Sequence, residues 1–160
     1  CSVRWIVDDA EKFLLRENRR NRKYDALIMD PPSFGRGPKG EVWNIETQMT
    51  TLLKLCKNIL SDSPKFILLT THSPGVSSLT LKNMLIKFLV SPNSGTFQMG
   101  DMSIYDNASD LQLPNGFYAR FSAWENLILL RKDRDSYYCA KTGTDITYYF
   151  SLLKTQNFWR

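Results

Sequence analysis

The chain has little of what metal and redox sites are built from. It holds one histidine, His72, and three cysteines, Cys1, Cys56 and Cys139, which are far apart and never in C-x-x-C spacing. That scarcity argues against a zinc site, a disulfide framework or a dithiol redox centre. No run approaches the roughly 20 apolar residues of a membrane helix. The opening CSVRWIVDDAEK does not read as a signal peptide. The expectation is a soluble intracellular chain with no membrane partner and no metal. Internal repeats and low-complexity tracts are missing too, so a repeat architecture is not expected. A phosphate-binding P-loop is excluded because Gly40 is followed by Glu41 where that loop requires a lysine. The sequence also lacks a nucleophile elbow or a Ser/His/Asp ordering, which argues against a hydrolase.

What is present suits one folded domain. In 160 residues, 42% are hydrophobic and 12% aromatic, enough apolar surface to offset the entropy of ordering. The 21 basic and 16 acidic residues leave a net charge of +5, which favours an anionic partner.

Residues 3–7 alternate and are β-branched, which predicts a strand closed by Asp8 and Asp9. A helix is expected over 10–20, with Asp9 as N-cap, Glu11 at its positive start and Phe13 and Leu14 facing inward. Arg16, Arg19, Arg20, Arg22 and Lys23 gather at its far end, either as a solvated helix terminus or as a phosphate-binding patch. The nearly continuous apolar run 24–29 suits a strand covered on both faces. Met49, Leu52, Leu53, Cys56, Ile59 and Leu60 recur at helical spacing and predict a helix over 46–60, with Cys56 as a small core residue. Another buried strand is expected at 65–70 and a helix at 77–89. Two further strands, 96–105 and 116–130, would be joined by a turn around Leu113-Pro114-Asn115-Gly116. Beyond Arg131 the pattern is lost, so the domain is bounded at 1–133 and 134–160 is treated as a tail of unknown order.

Alternating strands and helices argue for an open α/β sheet, mostly parallel and twisted, with an antiparallel edge. Ligands of such sheets bind beyond the carboxyl ends of the strands. Three strands end there in polar or rigid residues: Asp8-Asp9, Asp30-Pro31-Pro32-Ser33-Phe34, and Thr70-Thr71-His72-Ser73-Pro74-Gly75. Prolines after Asp30 stiffen the turn and fix the direction of its carbonyls, which can accept from an amine or a nucleobase. Phe34 offers a face for a base to stack on. Plain strand termination is the alternative, since Asp and Pro are ordinary turn residues. Gly35, Gly37 and Gly40 with Arg36 and Lys39 make either a basic loop for nucleic-acid phosphates or a flexible lid.

IVDDAEKFLLRE, then YDALIMDPPSFGRGPKGEVW, then FILLTTHSPG resembles the class I S-adenosylmethionine-dependent methyltransferases. Within that class the similarity is to the family related to ribosomal RNA large-subunit methyltransferases, over about residues 4–130. The resemblance implies a Rossmann-like sheet, S-adenosyl-L-methionine as cofactor and RNA, such as ribosomal RNA, as partner. It implies that Asp9, with Asp8 as substitute and Ala10 beside it, contacts the adenine of the cofactor. It places Asp30, Pro31, Pro32, Ser33 and Phe34 at the reaction centre, with Asp30 also beside the cofactor. Phe34, Arg36 and Lys39 then fall on the substrate side. The glycine-rich loop after the family's first strand and the acid after its second have no counterpart from residue 1 onward. The chain is thus expected to be the carboxyl-terminal portion of a longer protein, lacking the first strands and binding the cofactor poorly alone. Relatives that methylate carbon 5 of cytosine carry a cysteine after strand five, where this chain has Thr-Thr-His-Ser-Pro-Gly. His72 is the candidate base there, or an inert loop residue. The function expected is a methyltransferase with an incomplete catalytic domain, or else a non-catalytic nucleic-acid-binding remnant of one.

Overall fold

A computed structural model describes residues 5–37, 40–109 and 111–123. Residues 5–7 do not form the expected strand. Trp5 and Val7 are 80% and 84% exposed, and no neighbouring strand among the described residues offers hydrogen bonds to them. Alternation alone cannot hold a strand whose backbone groups have no partner.

The first helix, α1 (Ala10–Arg19), begins where Asp9 caps it, its carboxylate accepting from the Lys12 amide at 3.0 Å. Phe13, Leu14 and Glu17 are its buried side. Asn21 takes a left-handed conformation just past the helix, a role that asparagine tolerates. Strand β1 (Ala26–Met29) follows, with Leu27 and Met29 buried.

The glycine-rich stretch is a hairpin of β2 (Phe34–Arg36) and β3 (Val42–Asn44), pairing Phe34 with Asn44 and Arg36 with Val42. At its loop end the Gly37 N–H donates to the Glu41 carbonyl at 2.7 Å. Asn44 then caps α2 (Ile45–Ile59), accepting from the Glu46 amide at 2.9 Å. The expected inward row of α2 is buried, Cys56 included.

Strand β4 (Phe66–Thr71) lies parallel to β1, pairing Ala26 with Phe66 and Met29 with Leu69, with α2 as the crossover. Helix α3 (Ser78–Phe88) is capped by Ser77. Strands β5 (Gly95–Tyr105) and β6 (Gln112–Ala123) complete a four-stranded sheet of order β1-β4-β6-β5, in which β6 runs antiparallel to both neighbours. The antiparallel pair thus forms one edge of the sheet. The core joins α2 and α3 to the sheet through Leu53, Ile67, Leu69, Leu81, Leu85 and Phe121, all essentially fully buried.

The stretch 113–116 is not the turn. It lies within β6, and the chain reverses nearer Asp106, whose amide donates to the Leu111 carbonyl at 2.9 Å. Pro114 is tolerated because β4 reaches only as far as Phe117, so at Pro114 the strand has β5 alone beside it, next to a bulge at Asp101–Ser103. Gly116 is required where it stands. Its φ is +111°, and a Cβ there would fall 2.2 Å from the Thr71 carbonyl oxygen. The expected boundary at 133 and the tail 134–160 lie outside the described residues.

Candidate functional site

Asp9 and the Pro-Pro turn, 22 positions apart in the chain, open on one cavity of about 240 Å³. Asp9, Ala10, Glu11 and Lys12 contribute from the start of α1, and Pro31 and Pro32 from the end of β1. Met29, Leu15 and Leu52 supply apolar surface, while Glu41, Val42 and Trp43 come from the hairpin and Gln48 from α2. Among the described residues, the charged side chains of this lining are Asp9, Glu11, Lys12 and Glu41. The carboxylates at the start of α1 can accept from a guest that presents N–H donors.

The turn is held by groups that the sequence reading did not single out. The Trp43 indole N–H donates to the Pro32 carbonyl at 2.7 Å, and the Ile45 amide donates to the Ser33 carbonyl at 3.1 Å. Both bonds come from β3 and the start of α2, so the hairpin folds back over the turn it follows. The stiff carbonyl expected to face a ligand is therefore engaged by the protein's own indole. Trp43 was not foreseen because a three-residue strand after a glycine-rich stretch has too little periodicity to register.

Asp30 is not among the cavity-lining residues. Its carboxylate accepts from the Thr70 hydroxyl at 2.6 Å and lies 3.7 Å from Nε2 of His72. This clasp joins the carboxyl ends of the parallel strands β1 and β4. His72 stands between two buried residues, Thr71 and Ser73, whose short turn is closed by the Ser73 amide donating to the Thr71 hydroxyl. Ser33, Phe34 and Arg36 are not among the cavity-lining residues; Phe34 is 52% exposed and begins β2. Lys39 lies outside the described residues.

Asp8 does not line the cavity either. It forms an ion pair with Arg16 at 2.6 Å and accepts from the Asp9 amide. The Arg16 bond, opposed by modest burial and aided by that amide, holds the Asp8 carboxyl below its usual range. The basic end of α1 is likewise engaged internally. Glu17, buried, accepts from the Tyr24 hydroxyl at 2.5 Å and pairs with Arg20 at 3.1 Å and Arg22 at 4.0 Å. Burial pushes the Glu17 carboxyl up, but the Tyr24 and Arg20 hydrogen bonds and the two guanidinium charges outweigh it and hold it low. Lys23 donates to the Asn58 carbonyl at 3.0 Å.

Cys56 is no nucleophile. It is wholly buried against the Met29 sulfur at 3.7 Å, and desolvation pushes its thiol up to about 12. Among the described residues no cluster of three His, Cys, Asp or Glu side chains could hold a metal, and no helix is long and apolar enough to cross a membrane.

No protein-family model matches the sequence, and none of the curated proteins does. Solved structures do match. An Agrobacterium tumefaciens SAM-dependent methyltransferase is 31% identical and superposes with a TM-score of 0.64 over 74% of this chain and 39% of its own. The fold is part of a class I methyltransferase domain. Two other structures share that fold at lower identity. A chain described as a methyltransferase complexed with SAH has 21% identity and a TM-score of 0.51, covering 71% of this chain and 29% of its own. A chain from Streptococcus mutans described as a SAM-dependent methyltransferase has 18% identity and a TM-score of 0.51, with 72% and 30% covered. The chain thus spans less than two-fifths of the length of each of these methyltransferase neighbours. In this methyltransferase fold, the cavity beside Asp9 and Pro31-Pro32 opens beyond the carboxyl end of β1, where open α/β sheets place their ligands.

Proposed function

We propose that this chain supplies the adenosine-facing wall and the acceptor-facing turn of an S-adenosylmethionine-dependent methyltransferase that acts on RNA. One observation carries this reading: Asp9-Ala10, at the start of α1, and Pro31-Pro32, at the end of β1, line a single cavity. The lining suits the adenosine end of the cofactor. An acid that can accept from an exocyclic amine sits beside apolar walls from Leu15, Leu52 and Pro31. A neighbour of the same fold was solved with S-adenosylhomocysteine, which supports the same choice of cofactor.

S-Adenosylmethionine, when bound, brings a methyl group activated by its sulfonium. The residues of this chain bind and position. Asp9 keeps one carboxylate oxygen on the Lys12 amide and has the other for a donor in the cavity. Pro31 and Pro32, fixed in φ and tied to Trp43, hold the end of β1 rigid, and in-line methyl transfer depends on such positioning. The Thr70–Asp30 hydrogen bond ties the neighbouring strand end, and His72, 3.7 Å from Asp30, is the candidate base there. The +5 net charge and the sequence resemblance support RNA as the acceptor.

Isothermal titration of the full chain with S-adenosylhomocysteine, followed by tritiated methyl transfer to total RNA, tests the proposal. Weak heat of binding, requiring high ligand concentration, and RNA-associated tritium above a protein-free blank are expected. Salt-sensitive RNA binding with no cofactor binding would point instead to a nucleic-acid-binding remnant.

A further inference from the structure

We infer that Trp43 is the aromatic wall of a nucleobase slot, locked in place by the Pro32 carbonyl; this rests on the cofactor reading above, which gives Trp43 only the role of bracing the turn. Among the described residues, Trp43 is the one aromatic side chain in the cavity lining. Every nucleobase has a π face, and stacking on an aromatic side chain is the sequence-independent way to hold one. The slot also has an acid, Asp9, to accept from an exocyclic amino group, and a side-chain amide, Gln48, whose oxygen accepts from the Asn44 amide at 2.7 Å and whose nitrogen is then the donor.

The Pro32 bond gives the ring its fixed position. The indole N–H reaches the Pro32 carbonyl at 2.7 Å, Pro32 has its φ fixed by its own ring, and β3 is held by its pairing with β2. A ring restrained at its N–H and at its backbone loses little freedom when a base stacks on it, so its contribution appears as affinity. The Pro-Pro turn thus shapes the site indirectly, through the tryptophan that it orients.

The test is fluorescence and calorimetric titration of the full chain, wild type, Trp43→Phe and Trp43→Ala, with S-adenosylhomocysteine, adenosine and homocysteine, each to millimolar concentration. Circular dichroism and thermal melting identify any variant that has not folded. Adenosine and S-adenosylhomocysteine should quench wild-type emission while homocysteine, which lacks a base, leaves it unchanged. Trp43→Ala should weaken binding roughly 5- to 150-fold, the range for one stacked base. Trp43→Phe keeps an aromatic face but loses the bond to Pro32, and should weaken binding about 2- to 10-fold. S-Adenosylhomocysteine binding that is unchanged in a folded Trp43→Phe variant and in Trp43→Ala overturns the slot and leaves the cofactor reading standing. Quenching by adenosine but not by S-adenosylhomocysteine supports the slot and removes the cofactor. Absence of binding by both overturns the two together.

Discussion

Asp9 has two jobs in the proposed site, and substituting it in two ways separates them. Its carboxylate caps α1 through a 3.0 Å bond to the Lys12 amide, and it lines the cavity. Asp9→Ala removes both functions. Loss of the cap costs about 1 kcal/mol, within a range of 0.5–2, which for a chain of this size lowers the melting temperature by roughly 3 °C. Asp9→Asn retains a capping oxygen and forfeits only the favourable charge at the helix start, a few tenths of a kcal/mol. Toward an amino group in the cavity the two variants should behave alike, because each loses the charged acceptor. A hydrogen bond to a charged group contributes about 1.5–3 kcal/mol, so S-adenosylhomocysteine should bind roughly 10- to 150-fold more weakly to both. The assay is a paired one, thermal melting for the cap and isothermal titration for the ligand. Wild-type affinity in Asp9→Asn would falsify the assignment of Asp9 to the adenosyl end, leaving the residue as a cap alone.

Gly116→Ala should destabilise the fold by about 1–3 kcal/mol from its backbone conformation alone, with the Thr71 carbonyl contact adding to this, so a melt within a degree of wild type would contradict the close β4–β6 approach. Glu17→Gln removes the charge paired with Arg20 and Arg22 while its amide oxygen can still accept from Tyr24. Because the folded Glu17 carboxyl sits below its ordinary value of 4.5, its stabilisation is fully present above that value and is lost as pH falls through the lower folded value. The stability gap between wild type and Glu17→Gln, followed by urea unfolding, should therefore be constant near neutrality and close on acidification; a gap that widens in acid sinks the assignment. Cys56→Ser places a hydroxyl beside the Met29 sulfur in the apolar core and should cost about 1–3 kcal/mol in urea unfolding, whereas a neutral result would mean that the hydroxyl finds a partner there, such as the carbonyl one helical turn earlier.

The helices were legible because each carries its own signals. Asp9, Glu11 and the Phe13-Leu14 pair mark α1, and the row from Met49 to Ile59 marks the buried face of α2. The continuous apolar runs at β1 and β4 likewise announced strands that are covered, and the hairpin of β5 and β6 was expected as an antiparallel edge. Residues 5–7 misled because local alternation describes a side-chain pattern and not the presence of a partner strand. Leu113-Pro114-Asn115-Gly116 misled because its composition is that of a turn, yet its geometry is set by tertiary position: Pro114 lies beyond the reach of β4, and Gly116 is needed where β6 meets Thr71. At the candidate site, Asp9, Pro31 and Pro32, marked by their places at element ends, and Ala10, named through the resemblance, line one cavity. Which way a carboxylate turns could not be read, since Asp30 is claimed by Thr70 and His72, 40 and 42 positions further on, and Asp8 by Arg16.

The bond between Trp43 and Pro32 is asymmetric under mutation. Its donor is a side chain and can be deleted by a single codon change, whereas its acceptor is a main-chain oxygen that every residue possesses. A saturation library covering both positions should therefore show the bond itself restricting position 43 by the identity of its side chain, and position 32 by how well the replacement keeps the peptide plane in place. Drift at position 32 would be gradual, and at position 43 abrupt.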